Sequence, residues 1–197
     1  MILMVVGVIL LVYVGVQYGQ MYWAQRDLER RWAAQQTIGN DQPKSAALKM
    51  DDGLMRLSIP KIDLAAVVVE GTSHRSLLLG PGHMKETPAP GQAGNAVITG
   101  HRDTFFRHIY ELQKGDEILV QRSGKTFKYE VTSKRIVQPD DMSVLKPSQE
   151  SRLTLITCYP TYYIGPAPER LIVTSRLLEE PATTDASVQK TSTAGGH

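Results

Sequence analysis

The chain has 197 residues, of which 42% are hydrophobic, and this length suits one domain with a full core plus extensions. Its net charge is only +2, from 22 basic and 20 acidic side chains, and no basic stripe, aromatic platform or zinc-finger spacing is present, which argues against nucleic-acid binding. A single cysteine, Cys158, excludes a disulfide within the chain.

The first predicted element is a membrane-spanning helix at residues 1–19. Residues 1–18 carry no charge and are almost wholly apolar, and a helix needs about 20 such residues to cross a bilayer core. A cleavable signal peptide would require a basic segment and a small-residue cleavage site, and neither is clear, so an uncleaved signal-anchor is favoured. Arg26, Arg30 and Arg31 follow the span, and by the positive-inside rule they would place the domain in the cytoplasm.

Residues 20–52 are predicted to form a helical stalk and then a linker. Residues 20–36 are rich in Ala, Gln, Arg, Glu and Leu and lack Pro and Gly, which favours a helix. Residues 37–52 contain Gly39 and Pro43 and are typical of a flexible linker. At the other end, the Thr/Ser/Ala/Gly-rich composition of residues 181–197 predicts a disordered tail.

Residues 53–180 are predicted to form one all-β domain. Short apolar runs bounded by Pro and Gly occur at 54–59, 65–69, 96–99, 117–121, 126–131, 153–157 and 171–177. About eight strands at this spacing indicate a closed β-barrel or a sandwich. Short helical segments are expected near 73–79, 105–113 and 140–145, and Gly124 suits a hairpin turn.

Three chemically useful side chains fall at the ends of predicted strands. Cys158 ends one strand just before Pro160, His101 follows another strand, and Arg170 opens the last strand. The thiolate is the attacking form of cysteine, so it needs a nearby base or positive charge, and His101 and Arg170 can supply both. Each residue alone has a plainer interpretation: Cys158 as a buried small hydrophobe, and the other two as ordinary surface groups.

Taken together, these residues resemble the sortases, membrane-anchored cysteine transpeptidases of the bacterial cell surface. The matching pieces are Thr99-Gly-His101, the run Thr154-Leu-Ile-Thr-Cys158, and Arg170 after a loop. The strings Gly-His-Arg-Asp-Thr-Phe-Phe-Arg at 100–107 and Tyr-Pro-Thr-Tyr-Tyr-Ile-Gly-Pro-Ala-Pro-Glu-Arg at 159–170 are similar to the class D branch. The resemblance covers roughly residues 53–180 and implies an eight-stranded sortase-type β-barrel with Cys158, His101 and Arg170 converging at one rim.

The resemblance also implies a reaction. Cys158 would attack the threonine carbonyl of an LPxT-type sorting motif and form a thioacyl-enzyme, which an amine of a cell-wall precursor or of another protein would resolve. His101 would protonate the leaving amine and later deprotonate the incoming one, while Arg170 would position the substrate and stabilise the oxyanion. The implied location is the extracytoplasmic face of the cell membrane, through a single-pass anchor.

Candidate substrate-binding residues lie around the thiol and in the loop that follows it. Thr157, just before the thiol, would hydrogen-bond near the site, although β-branched residues are common in strands in any case. Tyr159 and Ile164, with Tyr162 and Tyr163, would form a wall against the apolar part of a sorting motif; equally, they would simply pack the loop.

No metal or other cofactor is expected. Some sortases bind calcium through loop carboxylates, but Glu70, Asp140 and Asp141 do not have a recognisable ligand spacing.

Two other functions remain open at this point. A cysteine peptidase would use the same first half-reaction with water as the acceptor. A catalytically silent, membrane-tethered β-barrel would bind peptides with an unreactive Cys158.

Overall fold

A long N-terminal helix precedes the barrel. The computed structural model describes residues 1–41 and 54–179, and helix α1 (Ile2–Asp41) occupies the first of these ranges. α1 includes residues 37–41, which the sequence assigned to the linker, because one glycine and one asparagine near a helix end cost little helix stability. The rest of the predicted linker and the tail at 181–197 lie outside the described residues.

The second half of α1 packs against the barrel. Gln25 bonds the carbonyl of Leu79 and accepts from the backbone N–H of Val67 at 3.4 Å, and Arg56 pairs with Glu29. Within residues 1–41 and 54–179, no helix combines the length and apolarity of a membrane span. The structure therefore does not confirm the span predicted at 1–19.

Eight strands form the barrel. They are β1 (Met55–Ile59), β2 (Leu64–Glu70), β3 (Gly82–His83), β4 (Gly94–Thr99), β5 (Glu117–Arg122), β6 (Lys125–Val137), β7 (Ser151–Tyr159) and β8 (Glu169–Glu179). The barrel closes in the order β1-β2-β3-β4-β7-β8-β6-β5, which confirms the predicted eight-stranded barrel. β3 has no counterpart among the predicted strands, because two residues are too few to show an alternating pattern.

The connections contain short helical turns. Helix α2 (His74–Leu79) begins after Ser73, whose hydroxyl accepts from the N–H of Ser76 at 3.1 Å. A 3-10 turn occupies Met142–Leu145, as expected near 140–145. Residues 105–113 contain only turns and one 3-10 turn, Ile109–Glu111, instead of a regular helix. Their buried residues recur every third position, the period of a 3-10 helix: Phe106, Ile109 and Leu112.

The hairpin between β5 and β6 has the expected two-residue turn. Ser123 and Gly124 both have positive φ angles, of 50° and 73°, which is the conformation of a type I′ turn and matches the twist of the flanking strands.

Tyr129 is fully buried in the barrel core, and its hydroxyl is part of the packing. The hydroxyl oxygen accepts a hydrogen bond from the N–H of Gly91 at 2.7 Å and lies 3.3 Å from the hydroxyl of Ser151. Burial raises the pKa of Tyr129 above its ordinary value of 10.0. The neutral hydroxyl is therefore the form that the fold stabilises.

Replacing Tyr129 with Phe is expected to lower the free energy of unfolding by about 1–3 kcal/mol, since the buried N–H of Gly91 loses its acceptor. The difference between the two proteins should become smaller above about pH 10. At that pH Tyr129 releases its proton in the unfolded wild type but keeps it in the native state, so the wild type loses stability that the Phe variant never had. Urea unfolding of both proteins at neutral pH and at about pH 10.5 measures this. An equal difference at both pH values would contradict the titration argument.

Candidate active site

Strand register brings the three predicted catalytic residues to one edge of the barrel. In the parallel pair β4–β7, Thr99 lies opposite Ile156, and the N–H of Gly100 still donates to the carbonyl of Ile156 at 3.1 Å. Two residues beyond that Thr99–Ile156 pair, along both segments, come His101 and Cys158. His101 therefore lies level with Cys158, just past the end of β4.

Arg170 is paired directly with Cys158 across β7 and β8. Side chains alternate between the two faces of a strand. Leu155 and Leu171 point into the core. Cys158 is three residues from Leu155 and Arg170 is one residue from Leu171, so both side chains point to the outer face. Opposite residues of an antiparallel pair share a face, with Cβ atoms about 4.5–5.5 Å apart. The side chains of Cys158 and Arg170 therefore start side by side on the outer face of the barrel.

His101 is held by the turn that follows β4. Its carbonyl accepts from the N–H of Phe106 at 3.0 Å. A Cβ atom at Gly100 would lie 2.7 Å from the Phe106 ring, so the residue before His101 has to be a glycine for this turn to pack. The ring of His101 contacts that of His74 edge-to-face, with centroids 6.0 Å apart and planes at 76°. Its Nε2 is buried and has no hydrogen-bond partner among the described residues.

Arg170 is half-buried and bonded to the loop before it. Its Nη1 donates to the carbonyl of Glu169 at 2.9 Å and to that of Ala167 at 3.3 Å. A guanidinium has five N–H donors. Both bonds are made by Nη1, which leaves the N–H donors of Nε and Nη2.

The candidate substrate-binding residues differ in exposure. Thr157 is only 2% exposed and its hydroxyl donates to the carbonyl of Gly100 at 2.7 Å, so its visible role is to join the strands that carry Cys158 and His101. Tyr159 is partly buried and packs on the core. Ile164 is 96% exposed in the loop between β7 and β8. Of these three side chains, only Ile164 offers most of its surface to a substrate.

Two residues near the site escaped the sequence analysis. Arg102 follows His101 and donates from Nη1 to the carbonyl of Pro160 at 3.3 Å and from Nη2 to that of Gly165 at 2.6 Å. His74, at the start of α2, contacts the ring of His101. Neither contact is visible in the sequence, because each partner belongs to a segment far away along the chain.

Glu70, considered above as a metal ligand, is engaged by a buried histidine. Nδ1 of His83 lies 3.0 Å from both of its carboxylate oxygens. In the described ranges, no group of three or more His, Cys, Asp and Glu side chains could hold a metal ion.

Comparison with known proteins identifies the family. The family model described as "Sortase domain" matches residues 57–178. Sortase D of Bacillus subtilis is 42% identical over 137 residues, which cover 68% of this chain and 69% of that protein. Sortase SrtE1 of Streptomyces coelicolor is 30% identical over 88% of this chain and 54% of its own length.

A solved structure agrees with these relatives. The sortase D5 transpeptidase of Clostridium perfringens superposes with a TM-score of 0.70 at 27% identity, covering 79% of this chain and 99% of that one. The chain therefore belongs to the sortase family, and its resemblance to the class D sortases is confirmed.

Proposed function

We propose that the protein is a cysteine transpeptidase that cleaves an LPxT-type sorting motif after its threonine and transfers the acyl group to an amine of the cell envelope or of another surface protein. The observation that carries this proposal is the register: Arg170 is directly opposite Cys158, and His101 lies level with Cys158, just past the end of the neighbouring strand β4. A nucleophile, a proton carrier and a fixed cation at one edge suit covalent acyl transfer.

In the first half-reaction, the Sγ atom of Cys158 bonds to the threonine carbonyl carbon, while the proton of the thiol resides on His101. The negative charge that develops on the carbonyl oxygen is stabilised by the N–H donors of Arg170 that are not bonded to Ala167 and Glu169. The C–N bond then breaks, and His101 gives its proton to the leaving amine. The product is a thioester between the acyl group and Cys158.

In the second half-reaction, the acceptor amine attacks the thioester and His101 takes the proton that the amine loses. The thiolate leaves and the enzyme returns to its starting state. The exposed side chains of Tyr162 and Ile164, 83% and 96% exposed, support an apolar contact with the leucine of the motif.

The ratio of transfer to hydrolysis tests this proposal against a cysteine peptidase. The purified full chain is mixed with peptides that end in LPxTG or LPxTA, and a small amine is added in increasing amounts. A transpeptidase should convert a growing share of product to the amide as the amine increases. If hydrolysis product alone forms at every amine concentration, the cysteine peptidase is favoured.

We also infer a single-pass anchor and an extracytoplasmic location. The uncharged apolar sequence of residues 1–18 supports the anchor. An LPxT-type substrate with an envelope acceptor requires the domain outside, which is opposite to the orientation that Arg26, Arg30 and Arg31 indicate by the positive-inside rule. Protease added to intact cells should then digest the domain, and full protection would overturn this location.

Replacing Arg170 with Lys is expected to lower kcat/KM by about 10²–10³-fold, because a single ammonium group cannot reproduce the fork of the guanidinium. Arg176→Lys is a matched control, since Arg176 lies on the same face of β8 and its guanidinium is 3.4 Å from Glu130. Steady-state transfer kinetics on both variants measure the effect. A loss in Arg170→Lys no greater than in the control would contradict the proposed role.

A further inference from the structure

Arg102 joins the turn that carries His101 to the loop between β7 and β8. We define the 160–168 loop as the residues that separate the end of β7 from Glu169. Arg102 donates to the carbonyls of Pro160 and Gly165, at 3.3 and 2.6 Å, and so grips both ends of the segment that presents Tyr162 and Ile164.

Few other hydrogen bonds of the described residues hold this loop. Among the described residues, the side chains that donate to backbone carbonyls of the 160–168 loop are those of Arg102 and Arg170. Arg170 bonds only the far end, at Ala167, and the N–H of Tyr163 bonds the carbonyl of Pro160 at 3.3 Å within the loop. Arg102 is therefore the side chain that bonds the loop on both sides of the exposed apolar tip around Ile164.

We propose that Arg102 is a positioning residue, which clamps the 160–168 loop against the His101 turn and so fixes one wall of the site where the sorting peptide binds. A planar guanidinium can donate to two carbonyls at once in a fixed geometry, whereas an ammonium group acts as a single point charge. The peptide-binding part of this inference rests on the proposed function; the clamp itself does not.

Kinetics of Arg102→Ala and Arg102→Lys test the positioning. Both variants are expected to raise KM for the sorting peptide about tenfold, which is the effect of losing one or two charge-assisted hydrogen bonds. The change in kcat should be much smaller. The rate at which iodoacetamide alkylates Cys158 should not change, because the bonds of Arg102 end on loop carbonyls. Arg107→Ala, an exposed arginine of the same turn, is the control and should match the wild type.

Limited proteolysis of the full chain with chymotrypsin gives a readout that needs no activity. Cleavage after Tyr162 and Tyr163 should be several-fold faster in both Arg102 variants than in Arg107→Ala. An unchanged cleavage rate would overturn the clamp, even if the wild type formed no acyl-enzyme with any peptide. Faster cleavage with an unchanged KM would overturn the positioning role. Lysine that restored both readouts would also overturn the proposal, because the bidentate geometry would then be unnecessary.

Discussion

The Cys158→Ala variant is expected to form no acyl adduct with any sorting peptide, and its transfer rate should fall by at least ~10³-fold, because the reaction loses its nucleophile. Intact-mass spectrometry of the purified full chain with LPxTG and LPxTA peptides measures the adduct. The wild type should gain the mass of the peptide's N-terminal acyl portion and lose that mass when an amine is added.

Cys158 is the only cysteine in the chain, so alkylation reports on this thiol alone. A wild-type thiol that alkylates while the peptide adduct is absent would show that the motif differs from LPxT. A thiol that resists both reagents, in a protein that still binds peptide, would support the silent barrel. Transfer that persists in Cys158→Ala would contradict covalent catalysis through this residue.

The sequence predicted that Cys158 and His101 lie at strand ends, but it did not predict from local pattern that the two residues lie close together. Pro160 marks the end of β7, and a glycine separates the strand before it from His101. Cys158 and His101 could therefore both be assigned to strand ends. Their closeness depends on β4 lying parallel to β7 in one register. A shift of one residue would have moved every side chain of the strand to the other face, and only the resemblance to the sortases indicated the correct pairing.

The C-terminal half of β6 was missed for a different reason. The predicted strand ended at Val131, but β6 continues to Val137 through Lys134 and Arg135, which pair with β8 across an irregular register. These residues are mostly exposed and show no hydrophobic alternation. They are strand because β8 provides hydrogen-bond partners for their backbone, and such pairing leaves no local pattern.

Contacts from side chains to backbone carbonyls were equally hidden. Thr157 bonds the carbonyl of Gly100, and Arg102 bonds two carbonyls of the 160–168 loop. Every residue has a carbonyl group, so an acceptor of this kind carries no sequence signal. The sequence motifs around Cys158 therefore identify reactive groups more readily than the residues that position them.

Replacing His101 with Gln is expected to lower the transfer rate by about 10²–10⁴-fold, the usual contribution of a positioned general acid or base. Glutamine keeps a hydrogen-bonding group at the position of the buried Nε2 but cannot carry the proton. His108→Gln is the matched control, since His108 is exposed in the same turn and contacts Glu111 at 2.8 Å. Steady-state transfer kinetics on both variants measure the effect.

A substrate with a better leaving group separates the two proton transfers of His101. If the scissile amide is replaced by an ester, the leaving alcohol needs less help from an acid, so acylation of His101→Gln should recover more than it does with the amide. Transfer to the amine should stay slow, because the incoming nucleophile must still lose its proton. Equal defects with amide and ester would contradict the acid role, and a His101→Gln rate equal to that of His108→Gln would mean that His101 only shapes the edge beside Cys158.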